Sequence, residues 1–455
     1  MANSRNRPSP DLFSRLAQSL IGQFPAGSRL LVGYSGGVDS TLLLYLLASV
    51  SDEQGWQIEC AHVHHGLSPN ADAWADACAA QCSALALPFS LLKVSIPANP
   101  SCGIECAARD ARYAALHAHA SEGAFDLLLT GHHADDQAET LLHNMVRGAG
   151  LLGLAGMPAR RPGDALRVAS ARPLLAVSRN VLETCARERG LSWIEDESNS
   201  DTRFARNYLR REVMPRLSAR WPRTAETMAG LARRLAEAQS LLDELASADA
   251  TVLSRRVEWG TCFSLERLVA LDAARQRNLL RWLLRVQGAR TLPDEAWLDE
   301  WRRQLCSARA NAECPIVHAG VAGFCHRGAL WLMPDYAPPT PFQWIGDPQV
   351  AWGPGRLRFE PVVGRGLARS ALVAGHYSLR ARAAGDRMQR GPGRPRAGVK
   401  QIAQESGLPP WLRDRAPILC ADGIPMWMPG CEVSPPHAAA AGEPGLLPVW
   451  QPVGD

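Results

Sequence analysis

Two short segments hold residue types whose spacing suits nucleotide chemistry. In Ser35-Gly36-Gly37-Val38-Asp39-Ser40 the paired glycines let the backbone bend tightly and come close to a ligand. The hydroxyls of Ser35 and Ser40 join the leading amides of the helix that follows in facing an anion. That is a pyrophosphate cradle, and it lacks the lysine of a GxxxxGK[ST] loop. The other segment is Gly131-His132-His133-Ala134-Asp135-Asp136-Gln137-Ala138-Glu139-Thr140. Asp136 and Glu139 are three apart and Asp135 and Glu139 four apart, so at least one pair of carboxylates shares a helical face. Crowded acids repel and make sense beside a cation, either a magnesium ion carrying a triphosphate or the ammonium of an amino-acid substrate.

Between them lie Val63-His64-His65-Gly66-Leu67 and Ala108-Arg109-Asp110-Ala111-Arg112-Tyr113. The histidines fit a structural role as well as a functional one. Arg109 and Arg112, three apart, either face phosphates together or sit solvated on a helix.

These residues need elements to hold them. From about residue 29 to 200, apolar runs alternate with helical stretches: RLLVGYS, then 39–50; IECAHVHH, then 69–86; FSLLKVSI, then 104–122; DLLLTGHH, then 134–147. This rhythm predicts a Rossmann-like α/β fold, a parallel sheet with helices on both faces. Ligands then sit beyond the carboxyl ends of the strands, where both polar segments fall. Near residue 215 the pattern changes: Met228, Leu231, Leu235, Ala238, Leu242 and Leu245 stripe a long helix, opening an all-helical stretch to about residue 310. Its tryptophans, Trp282, Trp297 and Trp301, read as a core stripe. Residues 336–348 are proline-rich and read as a linker. Beyond them RLRFEPVV and HYSLRARA suggest a small α+β domain over 349–455, and the last dozen residues look like a loose tail.

Composition bounds the rest. Hydrophobic residues at 46% and charged residues at 21% exclude a disordered chain. No run of about 18 uncharged apolar residues exists, and the N-terminus lacks the apolar core of a secretory signal, so the expectation is a cytoplasmic protein with no membrane partner. The 12 cysteines include no CxxC pair and read as free thiols. A net charge of +4 does not by itself argue for nucleic acid. Only Lys93 and Lys400 are lysines among the 49 basic residues, and arginine's planar fork suits phosphate, although a GC-rich coding sequence gives the same bias.

SGGVDS resembles the signature of PP-loop ATP pyrophosphatases, which cleave ATP to AMP and pyrophosphate. The order SGGVDS, VHHGL, ARDARY, TGHHADDQAET and Arg147-Gly148-Ala149-Gly150-Leu151-Leu152-Gly153-Leu154 is similar to that of tRNA(Ile)-lysidine synthetases. So are Asp196-Glu197-Ser198-Asn199-Ser200-Asp201 and Arg206-Asn207-Tyr208-Leu209-Arg210. The likeness resumes at Leu379-Arg380-Ala381-Arg382, Gly385-Asp386-Arg387, Lys400 and Pro409-Pro410-Trp411-Leu412-Arg413, with Gln401-Ile402 after Lys400 where a leucine-lysine step is more typical.

The resemblance implies an ATP-dependent carbon-nitrogen ligase. It would adenylate the wobble cytidine of an isoleucine tRNA bearing the CAU anticodon, and L-lysine would then displace AMP. It further implies ATP on Ser35, Gly36, Gly37, Val38, Asp39 and Ser40, with His64 nearby, and Mg2+ on Asp39 and Asp135. Lysine falls on Asp136 and Glu139, catalytic charge stabilisation on Arg112 and Arg206 beside Asp39, Asp136 and Glu139, and tRNA contacts on Arg380, Arg382, Arg387, Lys400 and Arg413. The implied division is a catalytic domain over 1–215, a helical tRNA-binding domain over 216–335, and an acceptor-stem domain beyond the linker. A homodimer stays open, since no heptad seam decides it. The rivals are a PP-loop tRNA thiolase, which generally needs catalytic or cluster-binding cysteines, a small-molecule PP-loop ligase, and an RNA-binding adaptor retaining the fold.

Overall fold

The computed structural model describes residues 11–97, 103–164, 167–195, 202–203, 205–307, 316–372, 376–390 and 395–452. The chain forms two compact units, Met1–Ser240 and Leu241–Asp455.

The first unit is the expected α/β layer structure. Its elements run α1 (Leu12–Leu20), β1 (Arg29–Gly33), α2 (Val38–Gln54), β2 (Gln57–His64), α3 (Ala71–Ala84), β3 (Phe89–Lys93), α4 (Ile104–Glu122), β4 (Leu127–Thr130) and α5 (Ala134–Val146). Then come α6 (Leu151–Leu154), β5 (Arg160–Arg161), β6 (Ser170–Ala171), α7 (Arg179–Glu188) and α8 (Ala205–Tyr208). A π-helical turn, Leu209–Val213, leads into α9 (Met214–Arg220), and α10 (Thr224–Leu253) follows. The sheet order is β3-β2-β1-β4-β6-β5, parallel from β3 to β6 with β5 antiparallel at the edge.

Strand alternation divides the core. Leu30, Val32, Leu127 and Leu129 pack with α1, α2 and α7, while Leu31 and Leu128 face Leu116 and Ala120 of α4. Burial on both faces explains why β1 and β4 read as unbroken apolar runs. Because β1 has β2 on one side and β4 on the other, the chain reverses its winding between β1 and β4, and that crevice is where such sheets bind ligands.

In the second unit the all-helical expectation is overturned. Ser254–Val257, Gly260–Ser264, Ile316–His318, Val321–His326 and Ala329–Pro334 form a five-stranded antiparallel sheet. The helices Ala273–Val286 and Glu295–Ser307 share a core with it; Trp301 lies inside, with Trp282 and Trp297 against it. The linker reading fails in part, since Phe342–Trp344 is a strand paired with Tyr377–Arg380 and Trp344 is buried. The expected loose tail is also a strand: Pro444–Gln451 pairs along Gly355–Val363. A single core carries Trp259 and Met333 together with Trp344, Trp352 and Trp450. Trp411 stacks flat on Phe324, ring centres 4.5 Å apart, with Trp331 edge-on.

Candidate active site

Strand β1 ends at Gly33, and the chain turns through Tyr34 to Gly37 into α2. Gly36 sits at φ +80°, and a Cβ there would lie 2.5 Å from Ile194 Cδ1 and 2.9 Å from Cys78 Sγ, so both the conformation and the space call for glycine. The Gly36 carbonyl accepts from Ile194 N–H at 2.9 Å and Thr41 Oγ1 at 3.2 Å. Ser35 and Ser40 hydroxyls lie 3.0 Å apart, and Ser40 Oγ donates to Gly37 O at 3.1 Å. No side chain caps the start of α2, leaving its leading amides for an anion. Val38, the first helical residue, is buried.

The acid-rich segment begins one strand over. Gly131 follows β4, and a Cβ on it would meet Ser40 N at 2.9 Å and the Asp39 carbonyl carbon and oxygen at 3.0 Å. The two polar segments are thus in backbone contact. His133, 1% exposed, caps α5 in a reciprocal box: Asp136 N–H points to its Nδ1 at 3.4 Å, and Asp136 Oδ2 accepts from His133 N–H at 3.1 Å. Its Nε2 lies 3.4 Å from both Asp39 Oδ2 and Asp136 Oδ2, and its Nδ1 lies 3.6 Å from Asp135 Oδ2. Burial opposes charge on this ring, but Asp136, Asp135 and Asp39 together outweigh it and push its pKa up to about 10. A doubly protonated ring surrenders the long acceptor contact from the Asp136 amide. Its neighbour His132 goes the other way: burial drives it down to about 3, and its Nδ1 sits 2.9 Å from Thr130 Oγ1.

This pair sets a pH dependence. The unfolded chain titrates both near 6.5. The ligand-free protein therefore loses the His133 contribution as pH rises from about 6.5 through 10, and the His132 contribution as pH falls from about 6.5 toward 3. Calorimetric melting temperatures are expected to decline on both sides of neutrality, with His133→Asn flattening the alkaline side alone. An alkaline decline that survives in that variant would show His133 to be neutral.

The acids on α5 already hold a cation, which sequence reading missed. Arg210 donates from Nε to Glu139 Oε1 at 2.7 Å, and from Nη2 to Glu139 Oε2 and Asp136 Oδ1 at 3.0 Å each. Burial raises the Glu139 pKa despite this partner. For Asp136, burial is outweighed by His133 and Arg210, and its pKa is held below the usual range. Asp135 is turned elsewhere: its Oδ2 accepts the Arg179 N–H at 2.7 Å, at the start of α7.

Arg206 reaches α5 as well, donating to Thr140 Oγ1 at 2.8 Å. Arg112 is desolvated, which works against its charge, and it lies against the Tyr113 ring, 5.6 Å from its centre. Among the described residues it has no ion pair. His64 pairs with Asp72 at 3.1 Å rather than with the Ser35–Ser40 segment. His62 Nδ1 lies 2.9 Å from the carbonyl of Tyr34, the residue before that segment, and it is His133 that reaches the segment itself, through Asp39. Residues 196–201, half of the acidic-asparagine motif, lie outside the described residues.

A magnesium ion fits here in one way. Among the described residues no three His, Cys, Asp or Glu side chains form a metal cage, so phosphate oxygens would complete its coordination. Asp39 suits that arrangement, because its Oδ1 is buried with no hydrogen-bond partner among the described residues. Asp135 has one oxygen committed to a helix start and suits it less well.

In the second unit most of the expected tRNA contacts are engaged within the protein. Arg380 forks onto Asp386 at 2.7 and 2.8 Å, Arg382 pairs with Asp414, and Arg387 and Arg413 donate to the carbonyls of Arg396 and Leu408. Lys400 is exposed.

Comparison with known proteins gives a consistent assignment. Residues 11–217 match the PP-loop domain family, 263–331 the TilS substrate binding domain and 377–450 the TilS substrate C-terminal domain. The tRNA(Ile)-lysidine synthase of Aromatoleum aromaticum is 43% identical over 93% of this chain and 97% of its own. That of Nitrosomonas europaea is 35% identical over 99% and 98%. Among solved structures, the U34-tRNA thiolase NcsA from Methanococcus maripaludis aligns at 18% identity and a TM-score of 0.43, covering 50% of this chain and 78% of that one. With a PP-loop site built as described and relatives matched nearly end to end, the chain belongs to the tRNA(Ile)-lysidine synthase family.

Proposed function

We propose that this protein joins L-lysine to the wobble cytidine of the CAU anticodon of an isoleucine tRNA, consuming ATP and releasing AMP and diphosphate. The carbonyl oxygen of the base attacks the α-phosphorus and diphosphate leaves. The ε-amine of lysine then attacks the adenylated carbon, and AMP departs with that oxygen. One observation carries the reading: the phosphate-cradling turn and the acidic start of α5 share backbone contact at Gly131 and a side-chain link, His133 to Asp39 at 3.4 Å.

In this reading Ser35, Gly36, Gly37, Ser40 and the α2 amides hold the phosphates. Asp39 holds magnesium, which would offset charge building on the transferred phosphorus. Arg112, which has no ion pair among the described residues, and Arg206 face the same developing charge. Asp136 and Glu139 hold an ammonium of lysine. All these residues lie on one chain between 35 and 206, so a second copy is not needed to complete the site. Family membership disfavours the thiolase and small-molecule ligase alternatives. Use of ATP, lysine and tRNA as substrates supports a cytoplasmic enzyme. No described helix is long and apolar enough to cross a membrane.

The test is incubation with ATP, radiolabelled lysine and an isoleucine tRNA bearing CAU, followed by nucleoside analysis. Lysine is expected to enter the wobble base only with ATP present, and not in Asp136→Ala. ATP cleavage without lysine in the tRNA would defeat the reading.

For the second unit, Lys400→Ala is expected to lower the slope of log affinity for tRNA against log salt by about one. Arg380→Ala acts instead on stability, because it strands Asp386, 10% exposed at its side chain, without its partner. Salt titration and thermal melts separate the two effects; an unchanged salt slope in Lys400→Ala would remove that residue from the tRNA surface.

A further inference from the structure

Arg210 lies where the lysine ammonium is placed above. Both oxygens of Glu139 accept from its guanidinium, as does Asp136 Oδ1, while Asp136 Oδ2 accepts from the His133 amide. Glu139 is 1% exposed. A second cation entering beside Arg210 would meet like charge at short range, and every oxygen of Asp136 and Glu139 already accepts a hydrogen bond.

The backbone offers a way out. Arg210 sits in the π-helical turn Leu209–Val213, between the α-helical segments Ala205–Tyr208 and Met214–Arg220. A π turn is a strained insertion that recurs at functional sites. Shifting its register by one residue toward α-helix rotates Arg210 by about 100° around the axis, carrying the guanidinium off the acids. Its side chain is 29% exposed, so it has a path to solvent that Glu139 lacks.

We propose that Arg210 is a built-in competitor for the amino-acid site, holding the Asp136–Glu139 pair until lysine displaces it and thereby setting how tightly lysine binds. The proposal rests on the reading that these two acids bind lysine. It makes Arg210 a specificity-determining residue: an incoming amine must outbid a two-pronged guanidinium, which a weakly charged or badly placed amine does not do.

The test uses the full-length protein without tRNA, as wild type, Arg210→Ala and Glu139→Gln, with lysine binding followed by equilibrium dialysis. Losing the competitor is expected to tighten lysine binding by about 10-fold or more, the scale of a hydrogen bond to a charged group. At low millimolar concentration, below its denaturing range, guanidinium chloride should compete with lysine in Arg210→Ala and raise the melting temperature of that variant but not of the wild type, since it refills the vacated place. Arg210→Lys should bind lysine nearly as the wild type does. Arg210→Gln keeps the bulk and serves if alanine prevents folding.

Unchanged or weakened lysine binding in the folded Ala and Gln variants overturns the proposal. If Glu139→Gln leaves lysine binding unaltered, the placement of lysine itself is wrong. If Glu139→Gln weakens it while Arg210→Ala does not tighten it, the placement stands and only the role of Arg210 falls.

Discussion

Asp39→Asn is expected to slow adenylation of the tRNA by about 10²–10³-fold, the usual cost of removing one preorganised electrostatic contact, while the protein stays folded. The amide keeps the shape of the carboxylate and loses its charge. Asp39 is suited to holding a cation: Oδ2 faces His133 and Oδ1 is buried without a hydrogen-bond partner among the described residues. The same change removes one of the three acids that keep His133 protonated, so its pKa should move back toward the ordinary histidine value. Single-turnover adenylation measured beside a thermal melt tests this. A wild-type rate in the variant would exclude Asp39 from the reaction.

Gly131→Ala should be nearly as damaging, with a loss of about 10²-fold, the scale set by misplacing reacting groups by about 1 Å. Its added methyl would strike backbone atoms of Asp39 and Ser40 at 2.9–3.0 Å, and backbone at the start of a packed helix has little room to yield. Gly36→Ala differs in kind, because its obstacles are the Ile194 and Cys78 side chains, compounded by a left-handed φ. Steady-state kinetics on Gly131→Ala should show the deficit with substrate saturating. Full activity would mean that the strand β4 end and the phosphate loop do not depend on each other for position.

Much of the first unit is legible from sequence because its strands are buried on both faces and its two polar segments follow strands directly. The pairing of Arg210 with Glu139 is not, since 71 residues separate them and no local pattern reports a contact of that range. His133 was visible as a residue but not as the hub joining Asp39, Asp135 and Asp136, which depends on β1 and β4 being neighbours. In the second unit, the strands at 254–264 escape notice because each is five residues or fewer and they follow a long helical stripe.

The final strand was hidden by its prolines. Pro448 stands opposite Phe359, whose own N–H bonds away from it to Pro348, so this is a pair that exchanges no ladder bonds. The missing proline donor therefore points to the strand's other side, where the short partner Leu367–Ala368 reaches only Leu446 and Gly445. A proline there costs the sheet nothing.

The stacking of Trp411 on Phe324 and the burial of Trp259 with Trp450 bear on how this protein can be taken apart. Cutting at the proline-rich stretch would strip aromatic faces from both fragments and leave two sticky remnants, so a failed pull-down with either piece would say nothing about RNA. Hybrids between relatives should exchange everything from Leu241 onward as one block.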